Sequence, residues 1–329
     1  MLKNPVANIM FPTTTVGSFG KPPYLQAARR DFYQQKIFAN DLRKVAERAT
    51  GEFIALQEEV GLDVLVDGEA ERGDMATFFA ERLAGFEISQ PVRSYGNRYY
   101  KKPIIVDQIK FQQPMTTHFF SLAQGLTRKP VKGMLTGPYT LMDWSFNEFY
   151  ASRQEVVADF AAALRLEAQA LVQAGCQILQ IDEPALSVRA AEIDLAIWGL
   201  KKVLANLPVY SITHICYGAF ESLAPRIKDL PVNQIDLEFA GRDFELLDQL
   251  KGHDFPQDVG LGVFDVHTHE LTPQAKIKAN LQKALTYFRP QQIWVDPDCG
   301  LKTRTLAESK KSLQAMVAGV RAFRQEFAS

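Results

Sequence analysis

The chain has little cysteine, almost no net charge and no long apolar run, and each of these absences disfavours a class of protein. Its 329 residues include only three cysteines, so a disulfide-stabilised scaffold is not expected. A net charge of −1 argues against a nucleic-acid-binding surface. No apolar segment reaches bilayer length, and the first residues lack the apolar core of a secretory signal. We therefore expect a cytoplasmic protein that contacts neither nucleic acid nor membrane.

Short apolar runs alternate with long amphipathic segments over most of the chain. The runs predict strands at residues 13–16, 64–66, 131–135, 178–181, 209–212, 234–237, 260–263 and 292–295. The longer segments predict helices at residues 42–59, 153–174, 192–205, 272–287 and 306–327. Alternating strands and helices form parallel sheets, and eight such strands predict an α/β fold, the (β/α)8 TIM barrel. No linker divides the chain, so we expect one domain over residues 1–329.

One segment, residues 87–114, does not follow this alternation. Its extended runs at residues 92–96 and 103–106 predict a β-hairpin inserted in the loop after strand 2. Long loops that follow barrel strands commonly form substrate sites or lids.

Four residues with metal-binding side chains fall where predicted strands end. His214 and Cys216 flank one residue at the end of the fifth strand, so their side chains point to the same side of an extended chain. Glu238 follows the sixth strand and Cys299 the eighth, and active sites of this barrel lie on the loops after the strands. Thiolate and imidazole ligands are typical of zinc. We therefore predict a Zn²⁺ site at these four residues and interpret Cys176 as a packing residue.

Six segments of the chain resemble the cobalamin-independent methionine synthase family, and they occur in the family's order. They are TTVGSF (14–19), GEAER (68–72), KGMLTGP (132–138), QIDEPAL (180–186), THICY (213–217) and WVDPDCGLKTR (294–304). The resemblance covers almost the whole chain. It is confined to the family's C-terminal catalytic barrel, so the chain resembles the short, single-barrel form.

The resemblance implies a zinc-dependent methyltransferase that transfers a methyl group to the thiol of homocysteine to form methionine. In this family four positions bind zinc, and here they are His214, Cys216, Glu238 and Cys299. Other positions match residues that bind the amino acid part of homocysteine or, for the tryptophan, stack on the folate ring: Val16, Ser18, Glu69, Asp182 and Trp144.

His267 matches a family histidine that handles the proton at the methyl donor. A methyl group leaves a tertiary amine poorly unless the nitrogen is protonated, and histidine can supply a proton near neutral pH. Asp265, two residues earlier, is the candidate partner that orients His267. We therefore predict these two residues as the catalytic pair.

The donor side of the site departs from the family pattern. Ser187, Val188 and Arg189 follow the QIDEPAL segment in place of the family's Arg-Glu-Gly, so an acidic residue that contacts the pterin is missing. The candidate donors are 5-methyltetrahydrofolate or its polyglutamate, a methylcorrinoid, and a methylated partner protein, and an accessory protein is a further candidate partner. Two other functions remain open: a zinc methyltransferase for another small thiol, and a non-catalytic zinc-binding barrel subunit.

Overall fold

The structure is a computed structural model, and it describes residues 4–93, 99–216, 222–251 and 255–328. Within them ten α-helices are present: α1 (Pro23–Tyr33), α2 (Ala39–Val60), α3 (Thr77–Ala80), α4 (Thr117–Gly125), α5 (Pro138–Asp143), α6 (Arg153–Gln173), α7 (Ile193–Leu204), α8 (Glu245–Leu250), α9 (Gln274–Ala284) and α10 (Leu306–Ala328). The strands are β1 (Leu65–Val66), β2 (Ala84–Ile88), β3 (Val92–Arg93), β4 (Tyr99–Tyr100), β5 (Pro103–Lys110), β6 (Val131–Thr136), β7 (Phe146–Asn147), β8 (Ile178–Asp182), β9 (Tyr210–Ile215), β10 (Gln234–Leu237), β11 (Asp258–Gly262) and β12 (Ile293–Asp296).

Seven strands form one sheet in the order β1-β6-β8-β9-β10-β11-β12, with parallel pairing of β1 with β6, β8 with β9, and β11 with both β10 and β12. Every residue of β6, β8, β9, β10 and β12 is buried. Burial on both faces favours apolar side chains, which is why short apolar runs in the sequence predict these strands. Parallel strands separated by helices make this an α/β fold of the (β/α)8 TIM-barrel type.

The first predicted strand, residues 13–16, is not a regular strand, and that prediction was wrong in detail. Thr13 forms an isolated parallel bridge with Val295, and the N–H of Thr14 donates to the carbonyl of Val295 at 2.9 Å. The carbonyl of Thr13 accepts from the N–H of Val64 at 3.1 Å. This segment therefore lies between β12 and the start of β1, which is the position expected for the first of the eight predicted strands.

The predicted insertion after the strand at residues 64–66 is present, but its predicted pairing was wrong. β5 pairs antiparallel with β2, and β7 lies on its other side. β3 pairs instead with β4. Residues 94–96 of the predicted hairpin lie outside the described residues. The pairing differs because residues 84–88, which the alternation did not mark as a strand, are the partner of β5.

The chain divides into two compact units, and the first comprises Met1–Glu71, Phe119–Lys132 and Asn233–Ser329. In its core the rings of Phe19 and Phe53 stack at 5.2 Å between centroids, and Phe11 meets Phe323 edge to face at 5.3 Å. α2 ends at Val60 and is capped by Gly61, whose φ of +85° is accessible to glycine without steric cost.

The second unit comprises Arg72–His118 and Gly133–Val232. Its long helix α6 begins with a capping box, in which the Ser152 hydroxyl accepts from the N–H of Glu155 and the Glu155 carboxylate accepts from the N–H of Ser152. α6 packs against α5 and α7. Our prediction of a single domain over residues 1–329 stays a prediction. In the described part of the chain, no helix has the length and apolar character needed to cross a bilayer.

Candidate metal and substrate site

His214 is part of β9, and Cys216 directly follows that strand. Their exposed fractions are 3% and 7%, so both side chains are buried. The carbonyl of His214 accepts from the N–H of Glu183 at 3.0 Å, and the hydroxyl of Thr213 donates to the carbonyl of Ile181 at 2.7 Å. These bonds hold the ends of β8 and β9 together and fix the backbone that carries the two predicted ligands.

Three of the four predicted metal ligands come together. One ligand atom from each of His214, Cys216 and Cys299 lies within 4.8 Å of the others. Cys299, in the loop after β12, is half-buried. Within residues 4–93, 99–216, 222–251 and 255–328 this is the one group of three or more such side chains close enough to hold a metal ion. One imidazole and two thiols form a donor set suited to a soft or borderline divalent cation.

Glu238, the fourth predicted ligand, is not part of this group and faces the predicted catalytic histidine. Its carboxylate Oε1 lies 3.8 Å from Nε2 of His267, and its side chain is 14% exposed. The interaction with Glu238 raises the pKa of His267, although partial burial of the imidazole acts in the opposite direction. The fourth-ligand role of Glu238 stays a prediction.

Asp265 acts on the backbone of His267. Its carboxylate accepts from the N–H of His267 at 2.7 Å, which forms a short turn after β11. Arg304 also binds this loop. It is only 3% exposed, and its guanidinium donates to the carbonyl of Asp265 at 2.8 Å. The position of His267 is therefore set by two charged side chains that fix its loop.

Ser18 lies against the loop that carries Cys299. The N–H of Leu301 donates to the carbonyl of Ser18 at 2.7 Å. A Cβ at Gly300 would lie 2.2 Å from the Ser18 hydroxyl, so only glycine allows this approach. Val16, two residues before Ser18, is 4% exposed, and its side chain is buried.

Glu69 lies in a strained turn that reaches the Ser18 segment. The N–H of Phe19 donates to the carbonyl of Gly68 at 3.1 Å. Glu69 has a φ of +53°, which is rare outside glycine, and the Asp67 carboxylate stabilises it by accepting from its N–H at 2.8 Å. Strained residues of this kind cluster at functional sites.

Asp182 and Trp144 belong to the second unit. Asp182 ends β8, is 7% exposed, and accepts through Oδ1 from the Gln180 side-chain amide at 2.8 Å. Trp144 is half-buried directly after α5, and its N–H donates to the carbonyl of Thr140 at 3.0 Å. Asp182 is therefore the last residue of its strand and Trp144 the first residue after its helix, and the substrate-binding roles of both stay predictions.

Two buried carboxylates were missed by the sequence analysis. Glu183, fully buried, accepts from the N–H groups of Tyr139 at 3.1 Å and Thr140 at 2.7 Å, and burial raises its pKa to about 7. Burial likewise raises the pKa of Asp298 to about 7. Each directly neighbours a predicted site residue in sequence. The sequence signal for both carboxylates was an acidic residue next to a predicted site residue near the end of a strand.

Comparison with known proteins shows which family the chain is similar to. The sequence model of the family described as "Cobalamin-independent synthase, Catalytic domain" matches residues 11–321. The chain is 34% identical over 318 residues to a methionine synthase from Saccharolobus solfataricus, with 96% of each chain covered. It is 36% identical over 318 residues to a methionine synthase from Sulfurisphaera tokodaii, covering 96% of this chain and 94% of that one.

Solved structures agree on the fold. A B12-independent methionine synthase from Shewanella sp. W3-18-1, in complex with selenomethionine, superimposes with a TM-score of 0.84 at 25% identity, covering 97% of this chain and 99% of that one. A putative B12-independent methionine synthase from Listeria monocytogenes superimposes with a TM-score of 0.78 at 22% identity, covering 94% and 96% of the two chains. This chain therefore belongs to the cobalamin-independent methionine synthase family, by its catalytic domain, and is a methyltransferase.

Proposed function

We propose that this protein methylates the thiol of homocysteine to form methionine, with a zinc ion as its resident metal. The observation that carries the proposal is the close group of His214, Cys216 and Cys299. Its curated relatives are named methionine synthases, and a solved relative binds selenomethionine, the selenium analogue of the product.

The three side chains fit a zinc ion. Ligands around tetrahedral Zn²⁺ lie about 3.5–4 Å from one another, given bond lengths of about 2.0–2.3 Å, and the three ligand atoms here all lie within 4.8 Å. Glu238 would complete the set in the absence of substrate, and displacing it would open a position for the substrate sulfur. Bound zinc would keep the thiol of homocysteine deprotonated and nucleophilic at neutral pH.

The amino acid part of homocysteine would be held by carboxylates from both halves of the sequence. Asp182 and Glu69 would pair with its ammonium group, and the Ser18 hydroxyl with the backbone of Val16 would bind its carboxylate. Asp182 is 7% exposed, so an ion pair with substrate there would be only weakly screened by solvent. This recognition would distinguish homocysteine from a thiol that has no amino acid group.

On the donor side, Trp144 would stack on a flat ring and His267 would give a proton to the nitrogen from which the methyl group leaves. The donors that suit these groups are 5-methyltetrahydrofolate or its polyglutamate, and a methylcorrinoid or a methylated partner protein remain alternatives. Val188, which is 60% exposed, stands where folate-using relatives have a pterin-binding carboxylate. We propose that the absence of this carboxylate weakens binding of the free folate.

The test is methionine formation by the zinc-loaded protein with homocysteine, with 5-methyltetrahydrofolate and methylcobalamin as separate donors. Product from the folate alone would support the full proposal. Product from methylcobalamin alone would support homocysteine as the methyl acceptor and a methylcorrinoid as the methyl donor. No product with either donor, together with turnover of a simple thiol such as 2-mercaptoethanol, would favour a methyltransferase for another small thiol.

A matched set of variants connects activity with the metal ligands. Cys216→Ser and Cys299→Ser should each lose bound zinc and activity, because a serine hydroxyl is a poor zinc ligand at neutral pH. Cys176→Ser is the control, since Cys176 is buried and its Sγ lies 3.1 Å from the carbonyl of Ile178. Equal losses in all three variants would contradict the proposed ligand set.

A further inference from the structure

Asp298 directly precedes the proposed zinc ligand Cys299 in the sequence, and the residue is 1% exposed. Oδ1 accepts from the N–H groups of Phe239 at 3.0 Å and Ala240 at 2.9 Å, and Oδ2 accepts from the N–H of Gly241 at 2.6 Å. These three residues directly follow Glu238. The carboxylate next to Cys299 in sequence therefore holds the backbone that begins at Glu238.

The same residue is bound to the end of β11. The N–H of Asp298 donates to the carbonyl of Phe264 at 3.1 Å. A Cβ at Gly262 would lie 2.1 Å from Oδ1 of Asp298 and 2.8 Å from its Cα, so a side chain there would push Asp298 out of place. Phe264 lies in the loop after β11 that also carries Asp265 and His267. Asp298 thus joins the ends of β10, β11 and β12.

The three N–H groups converge on one carboxylate, an arrangement that suits an acceptor oxygen on each side. Hydrogen bonds from backbone N–H groups to a buried carboxylate are charge-assisted and are about twice as strong as neutral ones. An amide at this position would present an NH₂ group to at least one of the N–H donors. The loop after Glu238 would then move away from Asp298, and the spacing of Glu238 and Cys299 would change.

We propose that Asp298 is a positioning residue for the metal site: its carboxylate sets the spacing between Glu238 and Cys299 and so the geometry of the metal ligands. This inference rests on the proposed zinc-dependent function. Asp298 acts through the backbone of both ligands and is not itself a ligand. Partners of this kind behind metal ligands contribute roughly 10–100-fold to metal affinity.

The test compares Asp298→Asn with Glu167→Gln. Glu167 is a fully buried carboxylate in α6 that accepts from the N–H groups of Met115 and Thr116 at 2.7 Å each, so both variants replace a carboxylate by an amide among N–H donors. Zinc affinity is measured by competition with a chromophoric chelator. The protein is also loaded with Co²⁺, whose visible and thiolate charge-transfer absorption reports the number and geometry of the ligands.

We expect Asp298→Asn to weaken zinc binding roughly 10–100-fold and to change the Co²⁺ spectrum. Glu167→Gln should lower the melting temperature but leave affinity and spectrum unchanged. Gly241→Ala is a milder second variant, because its Cβ would lie 3.2 Å from Oδ2 of Asp298. It should reduce affinity by a smaller factor and covers the case in which Asp298→Asn does not fold.

The two proposals fail in different ways. Asp298→Asn with wild-type zinc affinity and an unchanged Co²⁺ spectrum, in an enzyme that still makes methionine, would overturn the positioning role and leave the proposed function standing. A wild-type protein whose Co²⁺ spectrum lacks thiolate charge-transfer bands would overturn both. A changed spectrum in Glu167→Gln equal to that in Asp298→Asn would also overturn the positioning role.

Discussion

Nε2 of His267 lies 3.8 Å from Oε1 of Glu238, so the histidine predicted to handle a proton stands beside the carboxylate predicted to bind the metal. The two residues come from the loops after β10 and β11, which pair in parallel. A carboxylate in this position can face either a metal ion or the imidazole. The residue predicted to handle a proton and the residue predicted to bind the metal are thus neighbours.

The first prediction concerns His267. Replacing it by Gln should lower kcat about 10²–10⁴-fold, the usual contribution of a general acid, and should leave zinc content unchanged. Initial rates and metal analysis of the purified variant test this. His269→Gln is the matched control, because His269 is exposed and bonds to Glu308 through Nδ1 at 3.0 Å. An equal loss of kcat in the control would contradict a specific role for His267.

The second prediction concerns the three thiols. Burial raises the pKa of Cys176 to about 12, so this thiol should resist alkylation at pH 8 in the folded protein whether or not metal is bound. Zinc should protect Cys216 and Cys299, and a chelator should make both reactive. Peptide mapping after iodoacetamide treatment measures each site. Alkylation of Cys176 in the folded protein, or no protection of the other two by zinc, would contradict this assignment.

The third prediction concerns substrate recognition by Asp182. Asp182→Asn keeps an acceptor for Gln180 but removes the charge, so it should raise KM for homocysteine roughly 10–100-fold, the range for a hydrogen bond to a charged group. The rate with 2-mercaptoethanol should not change, because that thiol has no ammonium group. Glu69→Gln should behave in the same way. An equal loss of activity with both thiols would show that the carboxylates do not recognise the amino acid part of homocysteine.

The fourth prediction concerns pH and the start of α10. The N–H and hydroxyl of Thr305 bind the Glu308 carboxylate and lower its pKa to about 2, from an ordinary value near 4.5. A lowered folded-state pKa stabilises the protein above the unfolded-state value, and this contribution is lost as pH falls from about 4.5 towards 2. The difference in melting temperature between wild type and Glu308→Gln should therefore shrink between pH 6 and pH 3. A constant difference would contradict the prediction.

The local sequence was sufficient for most of the secondary structure. The strands of the sheet were predicted because burial on both faces favours apolar side chains, as at 293–295, and the helices were predicted because one face of each is apolar. The first predicted strand is not regular, because residues 13–16 form one isolated bridge, from Thr13 to Val295, in place of a continuous ladder. The partner of β5 was missed because antiparallel pairing depends on a distant segment.

The sequence by itself determined that His214, Cys216 and Cys299, the predicted ligands, lie at or just after the ends of strands, because strand periodicity and side-chain chemistry are local properties. Only the tertiary structure decided that their ligand atoms lie within 4.8 Å, that Glu238 faces His267, and that the Asp298 carboxylate binds the N–H groups after Glu238. Apart from the pair His214 and Cys216, these contacts join residues 29 to 85 positions apart, as 267 − 238 and 299 − 214 show. Such distances are set by how strands and loops pack, which no local pattern of residues encodes.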